Sequence, residues 1–132
     1  RFDRGEAGIL LGSGSFWEGA DFAEQDQIIQ LITRIPFDNP KDFFVQKINS
    51  RLKGEGKNAF YDYQLPLAIL RLKQAIGRTR RNEHQKSAVI LLDNRISSKR
   101  YGKQIQHHLS QLASLDILPE AAIMQELQDF FD

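Results

Sequence analysis

Cysteine is absent from these 132 residues, which removes disulfides, thiolate catalysis and any cysteine-held iron–sulfur cluster from the segment. That absence fits a reducing compartment, so a cytoplasmic location is expected. No apolar run approaches bilayer-spanning length, and no basic-then-apolar leader opens the chain, so a membrane is not an expected partner. Also missing is a Gly-x-x-x-x-Gly-Lys-Ser/Thr loop, and with it the usual cradle for nucleotide phosphates. An Asp-Glu-x-His box, which would position magnesium and an attacking water, is missing too. His84 stands alone, and His107 and His108 diverge by about 100° on a helix, so no metal site is expected. Methionine occurs once, at Met124, and the chain opens on Arg1. A piece of a longer protein, able to carry half an active site, is the expectation.

What is present is an ordinary globular composition, 41% hydrophobic and 27% charged, enough for one domain with a core. The net charge of +1 hides an asymmetry. Residues 71–103 hold ten Lys or Arg against Glu83 and Asp93, whereas no basic residue follows Lys103 and Asp116, Glu120, Glu126, Asp129 and Asp132 are acidic. One anion-facing surface and a tail that avoids it are implied.

Periodicity supplies the elements. Ile9-Leu10-Leu11, closed by Gly12-Ser13-Gly14, reads as a buried parallel strand ending in a loop, at the sheet edge where open α/β folds bind ligands. Ile28, Ile29, Leu31, Ile32 and Ile35 leave helix or strand open by periodicity, and their β-branching with the closing Ile35-Pro36 favours a second buried strand of about five to seven residues. Asn39-Pro40 predicts a helix start, with Phe44, Ile48 and Leu52 facing inward until the loop at 54–58. Tyr61 and Tyr63, which pack or line a groove, lead into a helix from about Pro66. Ser87–Leu92 is the clearest strand, followed by a helix over 98–112 carrying Ile105, Leu109 and Leu112. A last helix after Pro119 has Ala122, Ile123, Leu127 and Phe130 on one face, with Phe131 beside them. Strand, strand, helix, helix, strand, helix, helix suits a three-layer α/β domain with a parallel sheet.

The helix from Pro66 carries two stripes. Leu65, Ile69, Leu72 and Ile76 recur at spacings of four, three and four, and Arg71, Gln74, Arg78 and Arg81 at three, four and three. At about 100° per residue the stripes point in nearly opposite directions, so one packs while the other is presented. A charge run is commonly just a solvated face. Guanidinium groups in a row also suit a polyanion, since each can bind two phosphate oxygens.

The order of residues is sharper than the charge. Gln74-Ala75-Ile76-Gly77-Arg78-Thr79-Arg80-Arg81 resembles motif VI, Gln-x-x-Gly-Arg-x-x-Arg, of superfamily 2 helicases. Upstream, Gly14-Ser15-Phe16-Trp17-Glu18-Gly19-Ala20-Asp21 resembles motif V of the DinG and XPD branch, and the Phe-Trp pair resembles DinG-like members. Leu92-Asp93-Asn94-Arg95 and Tyr101-Gly102-Lys103 resemble the same branch after motif VI. The resemblance covers roughly residues 7–110.

That resemblance implies a RecA-like fold truncated at its N-terminal side: residues 1–113 as the later part of the second motor domain and 114–132 as a helical tail. ATP and Mg2+ would lie in a cleft shared with the first RecA-like domain of the same polypeptide. Negative charge builds on the γ-phosphoryl oxygens during hydrolysis, and a guanidinium from the opposite domain stabilises it when the cleft closes. By resemblance Arg81 is the arginine finger, Arg78 its partner, and Gln74 a bond across the interdomain surface. Asp21 would contact the ribose or link to motif VI, with Glu18 as a further acceptor and Gly19 giving clearance; Gly77 is counted with them on the nucleotide side. Ser13, Ser15 and Trp17 are candidates for contact with single-stranded or forked DNA; Phe16 and Trp17 read equally as core. Arg80 departs from the apolar or small residue usual there, and exposure is expected for it. The family implies a bacterial, nucleoid-associated protein acting in DNA repair. Some relatives add a nuclease domain, but no carboxylate cluster here carries that chemistry. A non-catalytic nucleic-acid-binding or regulatory module derived from a helicase domain is the alternative.

Overall fold

The computed structural model describes residues 27–79 and 84–132; the strand and loop expected over 9–14 lie outside these. Two parallel strands make the frame. β1 (Gln27–Ile32) pairs with β2 (Lys86–Leu91), Gln27 opposite Lys86 and Ile32 opposite Leu91. The Leu92 N–H donates to the Ile32 carbonyl at 2.9 Å and carries the ladder one step further. Parallel neighbours need a long crossover, and here it contains α1 (Phe43–Gly54) and α2 (Leu65–Thr79). After β2 come a single turn, α3 (Arg95–Ser98), then α4 (Gly102–Ser110) and α5 (Glu120–Phe131). This is the parallel α/β class expected from the sequence.

The core lies on one face of the sheet. Leu65, Ile69 and Leu72 of α2 are buried, with Ile76 packed at the rim, as their spacing requires. Each is worth about 1.5–3 kcal/mol when fully buried, so this stripe anchors the helix. Ala68 and Ala75 widen it, and Ile32, Ile35, Ile105 and Leu109 complete the cluster. Phe37, Phe60 and Tyr101 pack against it as a triangle of rings, with centroids 5.4, 5.7 and 5.1 Å apart.

Several expectations need correction. The run at 28–35 reads as a strand buried on both faces, yet Ile28 and Ile32 are buried while Ile29 and Leu31 are 51% and 61% exposed. The core cluster takes up only the face that carries Ile32, and side chains alternate along a strand. The central helix is also longer than expected. A π-helical turn at Phe60–Gln64 precedes it, and the Leu65 N–H donates to the Phe60 carbonyl. Pro66 therefore sits inside a continuous rod. Its ring would crowd the carbonyl four residues back, and the wider turn gives it room.

At α1 the cap is Asp42, whose Oδ1 accepts from the Phe44 N–H at 2.8 Å and the Val45 N–H at 3.3 Å. Asn39 instead closes a local turn by accepting from the Lys41 N–H at 3.0 Å. The inner face also differs from the expected one. Val45 is its buried residue, Ile48 and Leu52 are half-buried, and Phe44 points out. The helix expected over 98–112 begins at Gly102, and Leu112 lies beyond its end, exposed. A Cβ on Gly102 would collide with the Ile96 carbonyl oxygen and lie 2.8 Å from that of Arg95, so the corner between α3 and α4 closes only on glycine. On α5, Phe131 takes the half-buried position and Phe130 the exposed one. The Lys86 Nζ reaches the carbonyls of Phe130 and Phe131, each at 3.4 Å, where a cation suits a helix C-terminus.

Candidate functional site

The last turns of α2 hold what is described of the motif VI resemblance. Gln74 and Gly77 are exposed and Arg78 is half-buried. Among the described residues nothing stands within 4 Å of where a Cβ on Gly77 would lie. Glycine in a helix interior costs about 1 kcal/mol relative to alanine, and no neighbour within the described residues asks for it. The helix tolerates that cost because Leu65, Ile69 and Leu72 hold it from the other side. Thr79 is buried, its hydroxyl donating to the Ile76 carbonyl at 2.8 Å, so the last turn is fixed as far as residue 79. Arg81 lies outside the described residues, as do Arg80, Ser13, Ser15, Phe16, Trp17, Glu18, Gly19 and Asp21.

Arg71 does not join the presented stripe. Its Nη1 donates to the Asp38 Oδ1 at 2.6 Å and to the Pro36 carbonyl at 3.0 Å. On the helix wheel it stands about 40° from the buried Ala75, close enough to the core edge for the chain after β1 to capture it. A partly buried pair of this kind contributes on the order of 1 kcal/mol. Its role is to pin the crossover to α2.

The sheet's carboxyl edge forms a second site. Thr33, Arg34, Leu92, Asp93, Asn94 and Arg95 line a depression where β1 and β2 end. Asp93 is buried and ties both strand ends together: its Oδ2 accepts from the Ile35 N–H at 2.9 Å and from Arg95 Nη2 at 2.6 Å, and its Oδ1 from Arg95 Nε at 2.9 Å. The forked hydrogen bond from Arg95 does most to lower the Asp93 pKa to about 2, burial opposes it, and the backbone donors add to it. The Arg95 guanidinium also lies over the Phe37 ring, 5.6 Å from its centroid, a favourable cation–π geometry. Asp93, Asn94 and Arg95 were legible as an edge motif. The capture of the Ile35 amide was not, because it joins residues 58 apart in sequence.

Elsewhere, Tyr61 is exposed and edge-on to Phe60 at 5.2 Å, and Tyr63 is half-buried. His84 and His107 are exposed. Among the described residues no cluster of three His, Asp or Glu could hold a metal ion, and no helix is long and apolar enough to cross a membrane.

With this geometry in hand, comparison with known proteins is informative. The family model described as helicase C-terminal domain matches residues 1–112. Similar proteins include the 3'-5' exonuclease DinG of Bacillus subtilis, 33% identical over 124 residues that make up 94% of this chain and 12% of that protein. The ATP-dependent DNA helicase DinG of Photobacterium profundum is 37% identical over 101 residues, 76% of this chain and 15% of that protein. The ATP-dependent DNA helicase YoaA of Escherichia coli is 31% identical over 94 residues, 71% of this chain and 15% of that protein. The chain thus spans well under a fifth of the length of these relatives. No solved structure matches it. A family match across most of the chain, together with these relatives, bears out the family resemblance: the chain belongs to the helicase C-terminal domain family, on its DinG-like branch.

Proposed function

We propose that this chain is part of the second motor domain of an ATP-dependent DNA helicase, and that it completes an ATP site whose phosphate loop and magnesium ligands lie on a first RecA-like domain. Residues 1–113 belong to the motor and 114–132 form a tail. In this reading Arg81 approaches the γ-phosphoryl group when the cleft closes, Arg78 shares the phosphate or meets the opposing acidic box, and Gln74 bonds across the interface. Motif V supplies Glu18, Gly19 and Asp21 near the ribose, and Ser13, Ser15 and Trp17 touch single-stranded or forked DNA. The observation that carries the reading is the end of α2. It is anchored through Leu65, Ile69 and Leu72, and it presents Gln74 beside a Gly77 with open space where a Cβ would lie. A costly glycine without an internal reason is what close approach by another body requires.

The chemistry follows from charge and reach. ATP supplies the phosphoryl group and Mg2+ neutralises part of its charge. A planar guanidinium brought against the phosphoryl group strengthens its contact as charge develops, so its contribution falls on the chemical step rather than on binding. In the full-length polypeptide, Arg81→Ala is expected to cut DNA-saturated ATP turnover by about 10³-fold or more while ATP binding changes little. Arg81→Lys should rescue only partly, since a point charge lacks the fork. Arg71→Ala, at the arginine captured by Asp38 in the middle of the helix, should lower stability and spare turnover. Equal turnover for Arg81→Ala and the unmodified protein would overturn the assignment.

A further inference from the structure

A different surface of the chain is built for a ligand that the ATP site does not use. Phe43 and Phe44 open α1, and they are 70% and 72% exposed. Their rings sit edge to face at 5.8 Å. Two adjacent phenylalanines standing in water are costly to leave uncovered, since each forfeits the gain of burial. The helix has other apolar residues to bury, and it does so through Val45, Ile48 and Leu52, which centre on the side away from Phe43 and leave Phe44 at its margin. Asp42 fixes the orientation by capping the Phe44 and Val45 amides, and the Gln64 Nε2 donates to the Asn49 Oδ1 at 3.0 Å from the inner side.

What stands beside the rings decides between ligands. Phe43, Lys47 and Arg51 follow at spacings of four, so they form one line along the helix, with Phe44 flanking it. Lys47 and Arg51 are exposed. From residue 41 to 57 the chain carries Lys41, Lys47, Arg51, Lys53 and Lys57 against Asp42 and Glu55. Asp42 is spent on the cap, and Glu55 is shared between Arg51 at 3.1 Å and Lys57 at 3.0 Å. The face is therefore aromatic and cationic together. Exposed lysines are depleted at the core of protein interfaces, whereas alternating rings and cations are the arrangement that holds single strands: bases stack on the rings and phosphates track the charges.

We propose that the outer face of α1, formed by Phe43, Phe44, Lys47 and Arg51, is a binding track for single-stranded nucleic acid. It extends the DNA-motor reading to a surface outside the motif V and motif VI sites, and rests on that reading only for the sense of carrying a strand alongside the motor. The face runs about 12 Å from Phe43 to Arg51, at a rise of about 1.5 Å per residue. Both rings lie at its N-terminal end, so bases stack there while the phosphates pass Lys47 and Arg51.

The test is binding of a fluorescein-labelled oligothymidylate to the full-length polypeptide across a salt series without nucleotide. The paired change Phe43→Ala with Phe44→Ala is expected to weaken binding about tenfold or more, and to raise the DNA concentration needed for half-maximal ATP turnover without changing the saturated rate. Phe43→Leu with Phe44→Leu keeps the apolar area and removes the ring faces, and is expected to weaken binding likewise. Lys47→Ala with Arg51→Ala should flatten the slope of log affinity against log salt by about 1.4, at about 0.7 per phosphate contact on a single strand. These side chains are exposed, so melting temperatures should stay close to that of the unmodified protein. Unchanged affinity and salt slope in both the alanine pairs would overturn the proposal. So would full recovery by the leucine pair, which would mark an apolar protein contact. Failure of the Arg81→Ala prediction would leave these binding results standing, so the two readings fail separately.

Discussion

Two glycines, Gly77 and Gly102, divide this molecule into a part closed upon itself and a part left open. At Gly102 a Cβ has nowhere to go, because the backbone of α3 already occupies the space. At Gly77 it would meet nothing among the described residues. Two arginines belong to the closed part. Arg95 and Arg71 are held by Asp93 and Asp38, and both serve the fold. Gln74, beside Gly77, is exposed on the last turns of a helix whose other face is buried. A residue that its own chain explains is structural; one that its own chain makes costly points to something outside.

The strongest stability effect should fall on the closed side. Gly102→Ala forces the Ile96 carbonyl to move, and since backbone yields poorly, a loss of about 3 kcal/mol is expected, measured by denaturant titration. A loss below about 1 kcal/mol would mean that the corner is not rigid, and the contrast with Gly77 would weaken.

Asp93→Asn comes next. It leaves Arg95 without its forked partner and weakens the acceptor for the Ile35 N–H, for an expected loss of about 2–3 kcal/mol. The same group sets an acid limb. Its folded pKa of about 2 lies below the ordinary 3.8, so its stabilisation is complete above about pH 4 and is lost as pH falls through 2. The shift corresponds to on the order of 2 kcal/mol. Unfolding followed between pH 5 and 2 should show this slope in the unmodified protein and a flatter one in Asp93→Asn. Parallel slopes would contradict the Asp93 account.

Which parts of this contrast could be read from the sequence follows a physical rule. Local periodicity was legible: Leu65, Ile69 and Leu72 form the buried stripe, and residues 86–91 form the strand, because spacing alone fixes both. Long-range capture was not. The pairing of Arg71 with Asp38 joins positions 33 apart, and nothing in the helix pattern shows that an arginine beside Ala75 lies at a core edge. Where two residues could each do the same job, the sequence stayed ambiguous. Asn39 and Asp42 are both good caps; Phe44 shares a spacing of four with Ile48 and Leu52, yet the buried face centres on Val45 and leaves Phe44 out. Ile28, Ile29, Leu31 and Ile32 are apolar on both faces, so composition masks the alternation. Pro66 normally marks a helix start, and the π-helical turn before it carries no comparable signal. For the site, Gln74, Gly77 and Arg78 were readable only through their motif order, whereas the aromatic and basic face of α1 was hidden because spacing alone put Phe44 with the inner Ile48 and Leu52.

The smallest stability effect tests the central claim most directly. Gly77→Ala fills open space in a helix interior, so the folded protein should gain about 1 kcal/mol. If the open end of α2 faces an ATP site completed by another domain, the added methyl stands in the approaching surface. DNA-saturated ATP turnover of the full-length polypeptide should then fall at least about tenfold, the rate equivalent of roughly 1.4 kcal/mol in the barrier, while thermal stability rises. Higher stability with turnover unchanged would contradict the account, because Gly77 would then be a glycine that neither the fold nor the motor requires.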